Sequence, residues 1–371
     1  MAVPLPSLIS PGPRAGGGLP AQMRGGLLRA ARAATTPLLP SDYLGMIAPL
    51  TFGADLQGRI VARHPETPDA TTLVIRVGRK WRGHVPGQYV RVGVDVDGVR
   101  YWRAYSLTHG PDARRGTISI TVKRLPGGRV SEHLVDRAGP GDLLVLDQAT
   151  GDFTLPTVPP GRILFLTAGS GITPVIAMLR HHVWHIQDVV VVHSAPRPED
   201  VVFGPDLRAL AAENGIHLIE RHTDTDGMLD VAELDDLVPD WRFRETWACG
   251  PTALLDAAAA HWEGAGLADR FHVERFRPAV VVVDDAGGEV TFTRAGTTVE
   301  APGDVPILDS GEEAGVLLPS GCRMGICFGC ALPLREGTVR DLRTGELTEG
   351  GDGVRIQTCI SAAAGPCEID G

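Results

Sequence analysis

Four cysteines near the C-terminus constrain this chain more than any other feature: Cys322, Cys327, Cys330 and Cys359. Their spacing, C-x4-C-x2-C and then a long gap to the fourth, is one that holds a [2Fe–2S] cluster through four thiolates. Zinc suits it poorly, because zinc ribbons use two C-x2-C pairs and the first spacing here is too long. Disulfides suit it no better. The 371 residues hold six cysteines, three of them crowded into one loop, and no secretory signal is read at the N-terminus, which fits a reducing compartment. Gly321, Gly325 and Gly329 alternate with the ligands and let the backbone wrap tightly, so that amide N–H groups can turn toward cluster sulfurs.

Residues 278–371, which carry this loop, resemble the plant-type ferredoxin family. The resemblance implies a β-grasp fold with strands near 279–283 and 289–293 and a helix near 306–315 ahead of the cluster loop. Cys359 follows the strand-like Val354-Arg355-Ile356-Gln357-Thr358, where the fourth ligand belongs. The sixth cysteine, Cys367, reads as packing. The same segment holds 15 acidic residues against six arginines and no lysine, a net −9 out of −10 for the whole chain. Such a surface argues against nucleic acid. It favours either a partner protein with a basic docking face or solubility alone.

A chain of this length holds two or three domains. Its apolar runs, such as Ile163–Ala168 and Ala279–Val283, fall far short of the roughly 18 residues a membrane span requires. Residues 1–53 stand apart. Pro11-Gly12-Pro13 and Gly16-Gly17-Gly18 break regular structure, and no acid precedes Asp42. The segment reads as a partly disordered extension, or as a start placed early with Met23 as the first residue, rather than an organellar transit peptide. Leu27–Leu50 has the pattern of an amphipathic helix. It suits a membrane surface, a partner or, the reading we favour, the protein's own body.

Residues 54–157 read as all-β. Alternating stretches at Gly58–Ala62, Thr71–Val77, Tyr89–Val94, Thr117–Lys123 and Leu143–Leu146, with Gly, Pro and Asp turns between them, predict a small antiparallel barrel. Arg103-Ala104-Tyr105-Ser106 closes one strand, and Gly127-Gly128-Arg129-Val130-Ser131 leads into a helix predicted to start at a capping Ser131. An arginine beside a helix N-terminus suits a diphosphate, and the tyrosine offers a flat ring. These R-x-Y-S and G-x-x-S segments, with Pro86-Gly87-Gln88-Tyr89-Val90 before them, resemble the flavin domain of the ferredoxin–NADP reductase superfamily. The resemblance implies that Arg103 pairs with the FAD diphosphate, Tyr105 packs on the isoalloxazine, Ser106 hydrogen-bonds near flavin N5, and Gly128 and Ser131 shape the diphosphate turn. Some relatives with an attached ferredoxin use FMN; the intact turn points to FAD.

From 158 to 277 strands and helices alternate, predicting a parallel α/β domain. The buried-type strand Ile163–Ala168 runs into Gly169-Ser170-Gly171-Ile172-Thr173-Pro174, where glycines and a helix start suit a phosphate. Later strands are expected at Asp188–His193, His217–Arg221 and Thr246–Cys249, the last entering Ala248-Cys249-Gly250-Pro251. The pair G-S-G-I-T-P and A-C-G-P resembles the nucleotide half of the same superfamily. That implies nicotinamide-nucleotide binding by Gly169, Gly171, Thr173, Gly250 and Pro251, with Cys249 beside the nicotinamide. It also places Glu274 and Phe276 against the flavin. No acid stands where a ribose 2′-OH would bond after His193, whereas Ser194 and Arg197 suit a 2′-phosphate, so NADPH is expected over NADH.

The fold class expected is thus multidomain: a flavin β-barrel, an α/β nucleotide domain and an α+β ferredoxin domain. The implied activity is a cytoplasmic electron relay from NADPH through FAD to [2Fe–2S]. FAD is needed because the nucleotide gives a hydride and the cluster takes one electron. Thr36–Leu44 and Trp102–Leu107 look most like actinobacterial reductases serving membrane acyl-CoA desaturases, which implies such a desaturase as acceptor, reached from the inner face of the membrane. A cytochrome P450, a Rieske-type oxygenase or another hydroxylase is the alternative client, and a redox sensor is the remote one.

Overall fold

The computed structural model describes residues 43–371 except 45–46, 54, 97, 110–115, 277–286, 322 and 326–327. The expected strand at 279–283 and most of the expected helix at 27–50 lie outside the described residues. Two compact units form, Met1–Ala54 and Asp55–Gly371. In the first, Pro49–Phe52 is a helical turn with proline at its start. The second holds three sheets.

The first sheet is antiparallel: β1 (Gln57–Thr67), β2 (Ala70–Val77), β3 (Tyr89–Val96), β4 (Val99–Ser106), β5 (Thr117–Lys123) and β6 (Leu143–Leu146). Their order is β4-β3-β6-β1-β2-β5. A bridge between Leu107 and Ile120 joins the two edges, closing the sheet toward a barrel. Alternation puts Ile60, Leu73, Ile75, Val90, Val92, Ile118 and Ile120 inside, all buried.

The second sheet is parallel throughout, in the order β11-β10-β7-β8-β9. It comprises β7 (Arg162–Ala168), β8 (Asp188–Ala195), β9 (His217–His222), β10 (Glu245–Cys249) and β11 (Phe271–Glu274). Successive β7 residues point to opposite faces, yet both faces are dry. Ile163 and Phe165 pack under α1 (Ile172–His182) and α2 (Gly204–Asn214), while Leu164 and Leu166 meet Trp241, Trp262 and α3 (Thr252–Gly264). Burial on both sides is why this strand is an unbroken apolar run.

The third sheet is mixed. A hairpin of β12 (Gly288–Phe292) and β13 (Thr297–Ala301) lies parallel to the C-terminal β17 through β12, and β17 runs antiparallel to β14 (Ala331–Asp341). β14 also pairs with β15 (Leu347–Glu349) and β16 (Arg355–Gln357); β17 spans Ser361–Ile369. The helix α4 (Ile307–Glu313) packs on this sheet through Ile307 and Leu308. Cys367 is one of its core residues, opposite Val290, and burial pushes its thiol up to about 11. It is a packing residue, as its sequence position implied. No helix among the described residues is long and apolar enough to cross a membrane.

Candidate functional site

The ends of these elements meet at a cavity of about 800 Å³. Tyr105 and Ser106 reach it from the end of β4, Gly128 and Ser131 from the turn after β5, Ser170 and Thr173 from the start of α1, and Glu274 and Phe276 from β11 and beyond. The ferredoxin-like part completes the wall with Asp309, Arg323, Met324 and Cys359.

On the barrel side Arg103 is largely buried and donates from Nη1 to the Trp102 carbonyl at 2.8 Å. Burial, reinforced by the nearby Arg323, pulls its pKa below the usual arginine range, so this wall holds a positive charge that an anion would stabilise. Burial pushes the Tyr105 phenol upward, keeping it neutral. The Ser106 hydroxyl is buried and finds no partner among the described residues. An orphan hydroxyl on a cavity wall fits a ligand that supplies the missing hydrogen bond.

The expected helix start at Ser131 needs correction. The short helix is Arg129–Glu132 with Gly128 as its N-cap, and it continues as a π-helical turn over His133–Arg137. Ser131 lies inside the first turn, where its hydroxyl accepts from the Leu125 N–H at 3.1 Å and donates to the Gly128 carbonyl at 3.0 Å. It shapes the turn rather than capping the helix. A Cβ on Gly128 would come to 2.9 Å of the Leu125 carbonyl oxygen, so the tight loop requires glycine.

In the nucleotide half the two glycine motifs touch each other. Gly171 packs so closely on the carbonyl of Cys249 that a Cβ would overlap it, and one on Gly250 would sit 3.2 Å from the Ala168 nitrogen. Thr173 donates to the Ser170 carbonyl at 2.9 Å, holding the entry to α1. The cavity wall takes Ser170, Thr173 and Thr252 from this region, and Gly169, Gly171, Gly250 and Pro251 are not among its lining residues. Cys249 is fully buried and stands in register beside Glu274. Burial, then the Glu274 carboxylate, raises the thiol's pKa, so Cys249 is a neutral thiol.

Burial also raises Glu274 from 4.5 to about 8, and its Oε2 has no partner among the described residues. Between those pH values the folded chain keeps a proton that the unfolded chain releases, so stability falls as pH rises through the window and levels off above it. Glu274→Gln should flatten this dependence and raise stability at pH 8.5 by a few kcal/mol at most. Equal slopes of melting temperature against pH in both proteins would mean that solvent reaches the carboxyl.

Ser194 and Arg197 lie apart from the cavity wall, at the end of β8 and just after it. The Ser194 hydroxyl is buried without a partner among the described residues. Arg197 is exposed and holds Asp200 at 2.8 Å, with Glu199 at 3.5 Å and Asp224 at 4.0 Å. A phosphate there competes with a carboxylate for the guanidinium, a neighbour already present in the sequence Arg197-Pro198-Glu199-Asp200.

Of the four cluster cysteines, Cys322 and Cys327 lie outside the described residues. Cys330 and Cys359 are both buried. They come from separate segments that Thr358 ties together by donating to the Cys330 carbonyl at 3.1 Å, while Gln357 bonds the Gly325 carbonyl at 2.9 Å. Arg323 and Phe328 take left-handed backbone angles (φ 59° and 54°) that non-glycine residues seldom adopt. Buried thiols in a tightly wound loop fit a cluster ligand set. Cys359 also lines the cavity, on which Tyr105 and Ser106 stand as well. Sequence reasoning missed the contribution of Asp309, Arg323 and Met324 to this wall. The only available signal for Arg323 and Met324 was their place directly after Cys322.

Comparison with known proteins gives these parts names. Residues 57–155 match the oxidoreductase FAD-binding domain and residues 290–364 the 2Fe-2S iron-sulfur cluster binding domain. An NADPH oxidoreductase of Mycobacterium tuberculosis is 48% identical, covering 93% of this chain and 92% of that one. A glycine betaine monooxygenase reductase subunit of Pseudomonas aeruginosa is 31% identical over 77% of this chain and 86% of its own length. The solved phthalate dioxygenase reductase superposes with a TM-score of 0.59 at 23% identity, covering 85% of this chain and 98% of that one. Barrel, parallel sheet and ferredoxin part follow the same multidomain plan, and the chain belongs to the family of FAD-dependent, [2Fe–2S]-containing reductases that carry electrons from pyridine nucleotides.

Proposed function

We propose that this reductase takes its electrons from NADPH and delivers them, one at a time, to an oxygen-activating iron enzyme. The observation that carries the proposal is the shared cavity: Ser106, Glu274 and Cys359 line the same space, so a flavin held there would be within reach of both the nucleotide half and the cysteine loop. FAD, when bound, accepts electrons as a pair and releases them singly to the cluster. Around it, Arg103 balances the diphosphate, Tyr105 covers the ring face, Ser106 offers its spare hydrogen bond and Glu274, protonated near neutral pH, holds a proton beside the ring. Gly169, Gly171, Thr173, Gly250 and Pro251 set the nucleotide's approach, and Cys249 and Phe276 bound the nicotinamide side. Cys322, Cys327, Cys330 and Cys359 bind the iron. Division at 54–157, 158–277 and 278–371 goes with these three tasks.

The relative named an NADPH oxidoreductase supports NADPH as donor, as do Ser194 and Arg197 at the end of β8. The acceptor is supported from two directions. Relatives named as reductase subunits of monooxygenases favour an oxygenase, and the resemblance at 36–44 and 102–107 favours an acyl-CoA desaturase, met at the inner face of the membrane by a protein that otherwise resides in the cytoplasm. In either case a basic docking face would suit the acidic ferredoxin part.

Anaerobic NADPH added to the holoprotein should bleach the flavin first and then diminish the [2Fe–2S] absorbance. kcat/KM should favour NADPH, and Arg197→Ala should narrow that preference by about tenfold, the scale of one charge-assisted contact. Equal use of NADH by the unaltered protein would defeat the donor assignment. Transfer of electrons from the reduced protein to a Rieske-type oxygenase, but not to a desaturase, would decide the acceptor.

A further inference from the structure

Arg323 stands immediately after the first cluster cysteine, yet its side chain lines the cavity that also holds Arg103, Gly128 and Ser131. Its backbone adopts φ 59°, a left-handed conformation that a non-glycine residue keeps only where its surroundings hold it. The surroundings are two carboxylates of α4. Nη1 bonds Asp309 at 2.6 Å, and Nη2 bonds Glu312. These pairs fix the plane of the guanidinium. They leave Nε–H, which is buried and has no partner among the described residues. Arg103, on the barrel wall, spends one arm on the Trp102 carbonyl at 2.8 Å.

We propose that Arg323 is a positioning residue for the flavin: from the cluster loop it supplies a second cationic donor to the FAD diphosphate, besides Arg103, so that FAD binding and docking of the ferredoxin part support each other. The inference rests on the reading of Arg103 as the diphosphate arginine. Two arginines facing one cavity repel each other, and the field of Arg323 is felt at Arg103. An anion between them turns that repulsion into two attractions. Asp309 is also on the wall, and without Arg323 its carboxylate would face the diphosphate with that cation gone. FAD therefore gains from Arg323 twice, by a donated hydrogen bond and by the screening of an acid. In the other direction, bound FAD would link the barrel to the loop that carries Arg323.

The test uses full-length protein stripped of flavin and titrated with FAD and with riboflavin, which lacks phosphate. Cluster content is followed by visible circular dichroism and by electron paramagnetic resonance of the reduced form. Arg323→Ala should weaken FAD at least about tenfold and riboflavin by less than about threefold, with the cluster signals unchanged. Adding Asp309→Asn should restore part of the FAD affinity. FAD affinity that stays within about twofold, or FAD and riboflavin weakened equally, would overturn the inference. Should the alanine variant lose its cluster, Arg323→Lys, which keeps the charge opposite Asp309 and Glu312 and removes Nε–H, decides by the same ratio: a lowered preference for FAD over riboflavin supports the contact, and an unchanged one overturns it. Arg103→Ala separates the two readings. If it leaves FAD affinity intact, the diphosphate site itself is misplaced; if it alone weakens FAD, only the role of Arg323 falls.

Discussion

Cys359→Ser should remove the [2Fe–2S] absorbance and lower NADPH-driven reduction of cytochrome c by at least about a hundredfold, while reduction of ferricyanide stays within about twofold. The split follows from where Cys359 sits. It is buried, next to the Thr358 that bonds the Cys330 carbonyl, and also lines the cavity, so under the proposed relay its loss would close the electron exit and leave the nucleotide half untouched. A serine oxygen is a harder, more basic ligand than a thiolate and holds iron–sulfur clusters poorly. Ferricyanide is small enough to take electrons at the flavin. Cys367→Ser provides the contrast. That thiol packs in the core beside Val290, so its replacement should cost about 1–2 kcal/mol of stability and leave the cluster spectrum intact. A Cys359→Ser protein that still reduces cytochrome c at the original rate would remove Cys359 from the ligand set.

Local pattern made much of this fold legible. The run Ile163–Ala168 reads as a strand dry on both faces, and β7 is that strand, with helices on either side. Alternation at 71–77 and 117–123 reads as β-barrel wall, and β2 and β5 pair there. Other elements left weaker traces. β11 is only Phe271–Glu274, half-exposed and flanked by charge, and it becomes a strand because β10 offers it an open edge. β17 carries three alanines, a glycine and a proline, poor strand formers by themselves. It is held by β12 on one side and β14 on the other, which are tertiary partners no local pattern encodes.

The site divides in the same way. R-x-Y-S, at the end of β4, G-x-x-S, in the turn after β5, and the cysteine spacing are short motifs of contiguous residues, legible without the rest of the fold. Ser131 shows the limit of that reading: a serine followed by helical residues suggests a cap, but Gly128 already fills that place, and the hydroxyl turns back to Leu125 and Gly128. Ser194 and Arg197 suit a 2′-phosphate by residue type, but Asp200, three residues on, already pairs with the arginine. The presence of Arg323 near Arg103 depends on contact between segments more than 200 residues apart in sequence. Only the folded chain brings them together.

The nucleotide half supplies the second large effect. Gly171→Ala is expected to slow flavin bleaching by NADPH about a hundredfold in stopped-flow measurement while the cluster signal of the reduced protein is retained. Gly171 has ordinary right-handed backbone angles, φ −63°, so alanine is not strained there by conformation. What it lacks is room. Its Cβ would overlap the carbonyl of Cys249 and stand 2.8 Å from the nitrogen of Gly250, both of them backbone atoms at the end of β10 that cannot rotate aside. Relief requires the start of α1 to move away from β10 by about 1 Å, the scale at which positioned reactants lose about two orders of magnitude in rate. Gly169 is the matched control. Its φ is +54° but nothing lies within 4 Å of where an alanine methyl would stand, so Gly169→Ala should cost about 1–2 kcal/mol of stability and slow the hydride step less than Gly171→Ala does. If Gly171→Ala bleaches flavin as fast as the unaltered protein, the two glycine turns do not set the distance between nicotinamide and flavin. If Gly169→Ala is the slower of the two, backbone conformation rather than close packing governs that approach.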